Sequence, residues 1–479
     1  MRDKILHVVF CLTLAFQAQA KIKLPALFTD NMMLQQEMET PIWGWANPNE
    51  TVTVITSWNS TSYAVKANQK GQWKTLVRTP RATNIPYEIV LKTTEETTKI
   101  KNVLIGEVWL CSGQSNMEMP LKGFMGQPVL GGNEAIINSK NSSIRFISVP
   151  RKTVLSPTDD FEGSWQVASP KTTANFSATA WFFGSLLHEV LRVPIGLIEV
   201  SYGGSNVEAW MNSEMLQDFE EIKIPSNKKD FKEAPNREPT TLFNGMLAPT
   251  IGYGIKGAIW YQGESNRDRP FAYKALFKKM VSGWRSAWNQ GDFPFYFVQI
   301  APFDYSRYHP NDYKAKYNSA YLREAQLLAS KEIPHAAMAV VMDVGEKDNI
   351  HPADKKKGGA RLAYLALAKT YGLEGFEFES PEFRAMEIEG STVTVAFNNV
   401  PNGITAYGKE VTGFEIAGED QKFYPAQAFL RSKSVLLSSP RVEKPVAIRY
   451  LFKDFTTAEI FSTGGLPMSS FRTDSWYKD

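Results

Sequence analysis

Residues 108–117 read VWLCSGQSNM, and this stretch decides the fold. Four apolar residues, as expected of a buried strand, run through a glycine turn into the start of a helix. At such a turn the hydroxyl of Ser115 is exposed, and its backbone N–H faces the place where an oxyanion develops. Taken alone, Ser115 is better explained as a helix-capping serine. Other parts of the chain must therefore decide between the two roles.

The same succession of strand, turn and helix recurs between about residues 106 and 375. Apolar runs separated by longer amphipathic segments predict a parallel sheet with helices packed on it, the α/β class. The charged, proline-containing residues 218–239 predict an exposed insertion. The strand candidates are Val108–Cys111, Ile144–Val149, Ile195–Ser201, Lys256–Tyr261, Phe295–Ile300 and Ala337–Met342. The helix candidates are Phe176–Val190, Tyr273–Trp288, Tyr313–Ala329 and Lys355–Tyr371.

Short runs typical of β-strands flank this segment on both sides. Residues 21–105 alternate apolar and polar side chains between turn residues, which predicts a small antiparallel β-sandwich. Residues 376–479 return to β-rich runs and predict a second β-domain. A chain of 479 residues is long enough for several domains. We therefore predict an α/β domain at 106–375 between two β-rich domains.

The first twenty residues have a composition of their own. Arg2 and Lys4 precede an apolar run from Ile5 to Phe16, and Ala18-Gln19-Ala20 follows it. This is the pattern of a secretory signal peptide, because the apolar run is shorter than the about 20 residues that span a bilayer. Cleavage after Ala20 predicts an exported protein, periplasmic or extracellular.

Composition excludes several classes of partner and site. Without residues 1–20 the formal charge falls from +3 to +2, because two basic residues and one acidic residue are removed. Such a balance argues against nucleic acid, and the basic run Lys355–Lys357 is expected to be a solvated helix face. No second apolar stretch is long enough to span a membrane. Cys111 is then the single cysteine, which rules out an internal disulfide and a cysteine-rich zinc site.

Two further loops follow strand candidates, where open α/β sheets bind their ligands. Paired glycines at Gly203 and Gly204 let a backbone N–H approach a ligand, although an ordinary turn also uses them. In the other loop, Gln262 or Asn266 can donate to an oxyanion, whereas an ionised Glu264 only orients its neighbours. A purely structural hydrogen-bond network explains these three polar residues equally well.

The last such loop carries an acid and a histidine. Asp348 precedes His351 by three residues, which lets a carboxylate reach Nδ1 and leaves Nε2 free to take a serine proton. His351 alone combines an acidic partner with a position after a strand. The sequence therefore assigns it as the base that a serine nucleophile needs. The histidines that lack this combination are His7, His188, His309 and His335.

Together these loops resemble the sialate O-acetylesterase family of the SGNH hydrolase superfamily. The shared blocks, in the family's order, are GQSNM at 113–117, GGS at 203–205 with EAW at 208–210, WYQGESN at 260–266 and DNIHP at 348–352. The resemblance covers most of the mature chain and implies a three-layer α/β/α domain between β-rich sequences. It implies Ser115 as the nucleophile, His351 as the base and Asp348 as the acid that orients it.

The resemblance also implies an oxyanion hole. Its donors are the Ser115 amide, an amide of Gly203 or Gly204, and a side chain of Gln262 or Asn266. The wider superfamily has glycine followed closely by asparagine in the third block, whereas three residues separate Gln262 from Asn266 here. Both side chains therefore remain candidates, with Gln262 first. No metal and no organic cofactor are implied.

Five other side chains are candidates for contact with the substrate. The indoles of Trp210 and Trp260 can stack on a sugar ring, although aromatic residues beside a sheet more often belong to the core. Arg267 and Arg269 can pair with a sialic acid carboxylate, although loop arginines are as often solvated. Glu264 is the fifth candidate, because it lies in the same loop as Arg267 and Arg269.

The sequence thus predicts a serine esterase that releases acetate from an O-acetylated sugar, with sialic acid as the first candidate. An acetyl esterase for a plant polysaccharide such as xylan or xyloglucan would use the same residues. A noncatalytic carbohydrate-binding protein is a third interpretation, but such a protein has no use for an acid/base pair. The acetyl position and the oligomeric state remain open.

Overall fold

The structure, a computed structural model, describes residues 21–307 and 318–476. The predicted signal peptide, His309 and the part of the third helix candidate before residue 318 lie outside the described residues. None of the helices in these two ranges has the length and apolar character that a membrane span needs.

The helices are α1 (Ser115–Glu118), α2 (Gly132–Ile137), α3 (Pro170–Thr173), α4 (Ala178–Leu191), α5 (Ser213–Leu216), α6 (Pro270–Trp288), α7 (Asn318–Glu332) and α8 (Lys355–Lys369). The strands before residue 340 are β1 (Met33–Gln35), β2 (Glu39–Trp45), β3 (Thr51–Thr56), β4 (Ser62–Lys66), β5 (Gln72–Arg78), β6 (Thr83–Lys92), β7 (Thr97–Gly113), β8 (Asn141–Ser148), β9 (Gln166–Ala168), β10 (Ile195–Ser201), β11 (Gly257–Tyr261), β12 (Phe295–Val298) and β13 (Ala336–Ala339). The later strands are β14 (Glu382–Glu389), β15 (Thr392–Asn398), β16 (Ile404–Thr405), β17 (Phe414–Ala417), β18 (Phe423–Pro425), β19 (Gln427–Leu430), β20 (Ser434–Ser438), β21 (Ala447–Tyr450), β22 (Phe461–Ser462) and β23 (Phe471–Arg472).

The central sheet has the strand order β13-β12-β11-β7-β10-β8-β9. Its pairs are parallel except for β8 with β9. The chain leaves β7 toward β8 and β10 on one side and later fills β11, β12 and β13 on the other. Ligands bind such sheets where the strand order reverses, beyond the carboxyl ends of the strands. The register brings three ends together there, because Gly113 lies opposite both Ser201 and Tyr261.

Successive residues of β7 face opposite sides of the sheet. Val108 and Leu110 join a core that contains side chains of α6, whereas Trp109 and Cys111 join a second core with α4 and α8. Because α6 packs on α7 and α4 packs on α8, helices cover both faces. Burial of both faces explains why these strands have nearly continuous apolar sequences. All six strand candidates and all four helix candidates overlap elements of the structure.

The long strand β7 also belongs to the β-rich part at the beginning of the described chain. Its first half pairs with β1 and β6, and its second half pairs with β10 and β11. The boundary predicted between residues 105 and 106 therefore falls inside one unbroken strand. The other β-rich part, after α8, contains the sheets β14-β15-β20-β19 and β18-β17-β21-β23.

This later β-rich part is fastened to α7. Ser319 donates from its N–H to Asp454 at 3.1 Å, and Arg323 donates to Ser470 at 3.0 Å. Arg472 forms an ion pair with Glu324 of α7 at 2.9 Å.

Residues 218–239 are mostly exposed, as the sequence predicts.

Candidate active site

Ser115 begins α1 directly after β7 and is half-buried at the edge of the sheet. The turn before it depends on Gly113, whose φ of 143° is rarely adopted by residues with a side chain. A Cβ at this position would lie 2.2 Å from the carbonyl oxygen of Tyr261. The same oxygen accepts a hydrogen bond from Gln114 N at 2.9 Å. A glycine is therefore required where the strand stops and the serine is presented.

We expect Gly113→Ala to lower the free energy of unfolding by about 2–5 kcal/mol, since it combines a strained φ with a steric clash. Urea denaturation followed by circular dichroism measures this. Gly291 is the matched control, because its φ is also positive, 68°, but no heavy atom lies within 4 Å of its Cβ position. Gly291→Ala is expected to cost about 1 kcal/mol. Equal costs at the two positions would contradict the close contact with Tyr261.

The position of α1 is fixed from the beginning of α4. Ser177 Oγ donates to the Met117 carbonyl at 2.5 Å, and Thr179 Oγ1 donates to the Asn116 carbonyl at 2.9 Å. Both hydroxyls are buried. The helix that begins with Ser115 is thus held through its backbone, independently of its side chains.

The glycine pair after β10 lies against Ser115. A Cβ on Gly203 would be 3.3 Å from the Ser115 Cβ. The Gly203 N–H donates to Glu118 Oε2 at 2.9 Å, and Glu118 is also paired with Arg151. The N–H groups of Ser115 and Gly204 have no acceptor among the described residues. These two amides, rather than that of Gly203, are free to receive an oxyanion in this conformation.

The two side-chain candidates for the oxyanion hole are held in a buried network. Gln262 Nε2 donates to the Ser205 carbonyl at 3.0 Å and to Asn266 Oδ1 at 2.7 Å. Tyr273 donates to Gln262 Oε1 at 3.0 Å, and Asn266 Nδ2 donates to Glu208 at 2.9 Å. Both N–H groups of Gln262 are used, so Gln262 would have to exchange a bond before it could donate to a substrate, whereas one N–H of Asn266 has no acceptor among the described residues.

The indoles of Trp210 and Trp260 lie inside the molecule, each with 0% of its surface exposed. Their ring centroids are 6.1 Å apart in an edge-to-face arrangement. Trp210 Nε1 donates to Ser205 Oγ at 2.9 Å, and Trp284 packs edge-on against Trp260. Neither ring has a face open to a sugar, so we assign them no stacking role.

The arginines of the Gln262 loop differ in burial. Arg267 is 7% exposed, and its guanidinium lies 4.5 Å from the centre of the Tyr305 ring. One of its terminal nitrogens pairs with Asp268 at 3.0 Å. Arg269 is half exposed and pairs with the buried Glu208 at 2.8 Å. Arg267 is therefore a built-in part of the loop, whereas Arg269 is accessible.

His351 presents one nitrogen to a partner and keeps the other available. Its Nδ1 lies 2.6 Å from Gln127 Oε1. An amide oxygen only accepts hydrogen bonds, so this contact places the proton on Nδ1 and leaves Nε2 as the acceptor. Phe124 packs edge-on against the imidazole at 5.4 Å. Burial, followed by the nearby charge of Lys355, lowers the pKa of His351 to about 4.

The turn that carries His351 is organised by Glu346. Glu346 Oε1 accepts from Ala353 N at 2.6 Å, and Oε2 accepts from Asn349 at 3.3 Å. Asn349 in turn accepts from His351 N at 3.1 Å and donates to its carbonyl at 2.8 Å. Asp348 lies in the same turn and is exposed. The backbone of the histidine is thus held by the loop itself.

A buried cluster joins this turn to the residue after Ser115. Asn116 Nδ2 donates to Glu264 Oε1 at 2.6 Å, and its Oδ1 accepts from Lys355 Nζ at 2.6 Å. Burial is the main cause that lowers the pKa of Lys355 to about 7. Burial also raises the pKa of Glu264. Cation, amide and carboxyl group lie in a row beside Ser115.

Lys355 corrects the prediction that residues 355–357 form a solvated face. Lys356 and Lys357 are exposed, but Lys355 is only 2% exposed. The prediction is wrong for this residue because two acceptors, Asn116 Oδ1 and the Pro352 carbonyl, lie within hydrogen-bond distance of Nζ. A buried ammonium or amine requires such partners.

Comparison with known proteins matches residues 105–367 to the family model described as carbohydrate esterase, sialic acid-specific acetylesterase. The chain belongs to this family. It is 31% identical over 383 residues to the sialate O-acetylesterase of Homo sapiens, covering 74% of this chain and 72% of the human one. The rat enzyme of the same name is 31% identical over 421 residues, with 76% of each chain covered. The family resemblance of the sequence is confirmed, and the chain is a carboxylic ester hydrolase.

A solved structure supports the same relationship for nearly the whole chain. A carbohydrate acetylesterase from Xanthomonas citri superposes with a TM-score of 0.84 at 32% sequence identity. The match covers 95% of this chain and 100% of the other. The carbohydrate esterase therefore shares its fold with an enzyme described as acting on acetylated carbohydrate.

Two residues near His351 of this esterase have no distinct signal in the sequence. Gln127 lies in the loop after α1, 224 residues before the histidine that it contacts. Lys355 is 239 residues from Asn116. Only the acceptors around Lys355 distinguish it from the two lysines that follow, and those acceptors come from distant parts of the chain.

Proposed function

We propose that this carbohydrate esterase is a sialate O-acetylesterase with Ser115 as nucleophile, His351 as base and Asp348 as the acid that supports the base. Relatives that carry this name cover most of the chain. The observation that carries the residue assignment is the hydrogen bond from Asn116 to the Ile350 carbonyl at 3.2 Å. It joins the residue after the serine to the residue before the histidine.

The reaction follows from these positions. Ser115 Oγ attacks the acetyl carbonyl carbon while His351 Nε2 takes the hydroxyl proton. The resulting oxyanion is held by the Ser115 and Gly204 amides, and by the second N–H of Asn266 or, once it is released from one of its bonds, by Gln262. The proton passes to the sugar oxygen as the ester bond breaks. Water then attacks the acetyl-enzyme with the same base, and acetate leaves.

Substrate recognition is assigned to the loop of Gln262. We propose that Arg267 binds the carboxylate of the sugar, supported by its Nε, which has no hydrogen-bond acceptor within the described residues. Glu264 acts on the substrate only indirectly, because its carboxylate accepts a hydrogen bond from the Asn116 amide. Arg269 is the accessible alternative for the same carboxylate.

The wider organisation is part of the same proposal. An SGNH-type α/β/α domain at 106–375 would lie between β-rich domains at 21–105 and 376–479. Its support is the helices on both faces of the parallel sheet. Export to the periplasm or the outside is supported by the signal-peptide pattern of residues 1–20.

Acetate release from O-acetylated sialic acid, compared with release from acetylated xylan, tests the substrate assignment. We expect kcat/KM for the sialic acid ester to exceed that for xylan at least about tenfold, since a paired guanidinium and carboxylate contributes more than 1.4 kcal/mol when partly desolvated. Arg267→Ala should remove this preference without abolishing hydrolysis of p-nitrophenyl acetate, which has no carboxylate. Preference for xylan by the unaltered enzyme would assign it to plant polysaccharide instead.

A further inference from the structure

Asn116 holds the turn of His351 on both sides of the histidine. Its Nδ2 donates to the carbonyl of Ile350, the residue before the histidine, at 3.2 Å. Its Oδ1 accepts from Lys355 Nζ at 2.6 Å. The same Nζ donates to the carbonyl of Pro352, the residue after the histidine, at 2.8 Å. The backbone that carries the base is therefore tied to the residue adjoining the nucleophile.

Glu264 and Lys355 leave the Asn116 amide a single orientation. A carboxylate accepts hydrogen bonds and an ammonium donates them, so the amide nitrogen must face Glu264 and the oxygen must face Lys355. The three side chains are nearly inaccessible, with 0%, 6% and 2% exposed for Asn116, Glu264 and Lys355. Water cannot compete for their bonds, which makes the geometry stiff.

The cluster is not needed to hold α1. Ser177 and Thr179 already anchor the backbone carbonyls of Met117 and Asn116. What the Asn116 side chain adds is the connection to the turn of the histidine, which no backbone hydrogen bond of α1 supplies. Its function must lie in the relation between the two loops.

We propose that Asn116, Lys355 and Glu264 form a positioning clamp that sets the distance between Ser115 Oγ and His351 Nε2. The inference rests on the proposed function of these last two residues. The clamp joins the loops that follow β7 and β11 to the beginning of α8. Its members do not touch the reacting ester; they hold the groups that do.

The clamp should matter for rate because proton transfer is sensitive to distance. Serine and base must approach within about 2.6–3.2 Å, and a shift of about 1 Å costs about 100-fold in rate. Lys355 has a second effect, since its charge disfavours the imidazolium and contributes to the lowered pKa of His351. From the loop after α1, the groups that face the imidazole are Phe124 and Gln127, which are uncharged.

Lys355→Met tests the clamp, with Lys356→Met as the matched control on the exposed side of the same helix. Methionine fills similar space without donating, so the fold should survive. We expect kcat of Lys355→Met on p-nitrophenyl acetate to fall about 100-fold with KM changed less than threefold. The acid limb of kcat/KM should move upward from near pH 4 because a neighbouring positive charge is lost, but it should stay below the value of a free imidazole because burial, the larger cause, remains. Lys356→Met should change neither quantity.

Asn116→Ala separates the effect of the clamp on the position of His351 from the effect of the Lys355 charge on its pKa. It should lower kcat to a similar extent while leaving the acid limb in place, because Lys355 keeps its charge. Titration of Ser115 with a fluorophosphonate counts the folded active sites. If the loss of activity comes only from misfolding, kcat per titrated site is unchanged, and the clamp is overturned. It is equally overturned if both variants keep kcat within threefold while Ser115→Ala is inactive. Activity that survives in Ser115→Ala would instead reject the proposed function itself.

Discussion

Ser115→Ala is expected to lower kcat for acetyl ester hydrolysis by roughly 10,000-fold or more, as single losses of serine nucleophiles do in other hydrolases. The variant keeps the backbone N–H groups of residues 115 and 204, and it keeps the turn at Gly113. Substrate binding should therefore survive, with KM changed by less than about threefold. The measurement is the steady-state rate on p-nitrophenyl acetate and on O-acetylated sialic acid, after the far-ultraviolet circular dichroism has been matched to the parent.

Ser286→Ala is the control for this experiment. It makes the same chemical change on the exposed side of α6, where the hydroxyl only donates to the Ser282 carbonyl at 3.0 Å. Its activity should equal that of the parent. If Ser115→Ala retains more than a tenth of the parent kcat, another group must form the acyl-enzyme or activate water directly, and the mechanism fails.

The strands and the turn that carries Ser115 were predictable because their determinants are local. β10 has the predicted bounds, Ile195–Ser201, since a strand buried on both faces shows a continuous apolar run. Gly113 marks the turn before Ser115 through backbone sterics alone. The meeting of the four loops was also accessible, because parallel strands end at one edge of a sheet.

The side-chain contacts of the site were not predictable in the same way. The two nitrogens of His351 are distinguished by Gln127, whose loop reaches the histidine only in the folded chain. Lys355 points inward because Asn116 Oδ1 and the Pro352 carbonyl accept hydrogen bonds from it there. Composition alone predicts that every lysine of such a run is exposed to solvent. The sequence also did not decide the role of Trp210 and Trp260, since an aromatic residue beside an active site can either stack on a sugar or pack in the core.

His351→Ala is expected to lower kcat about as far as Ser115→Ala does, by roughly 10,000-fold or more, because nucleophile and base act as one unit. The double variant Ser115→Ala/His351→Ala should then be little slower than either single variant. His188→Ala is the control, as that imidazole lies at the far end of α4 against the Val193 carbonyl. Additive losses in the double variant would show that the two residues act independently.

The partner of His351 Nδ1 decides how the imidazolium is stabilised once the base has taken its proton. Gln127 orients the ring with a neutral oxygen, but only a carboxylate adds the negative charge that lowers the energy of the cation. We therefore expect Asp348→Asn to lower kcat by about 1,000-fold or more, and Gln127→Ala by about tenfold. Asp354→Asn is the control, because it removes an equal charge from the cap of α8. The reverse ranking, with Gln127→Ala the slower enzyme, would show that the base depends on its neutral contact at Nδ1 and not on Asp348.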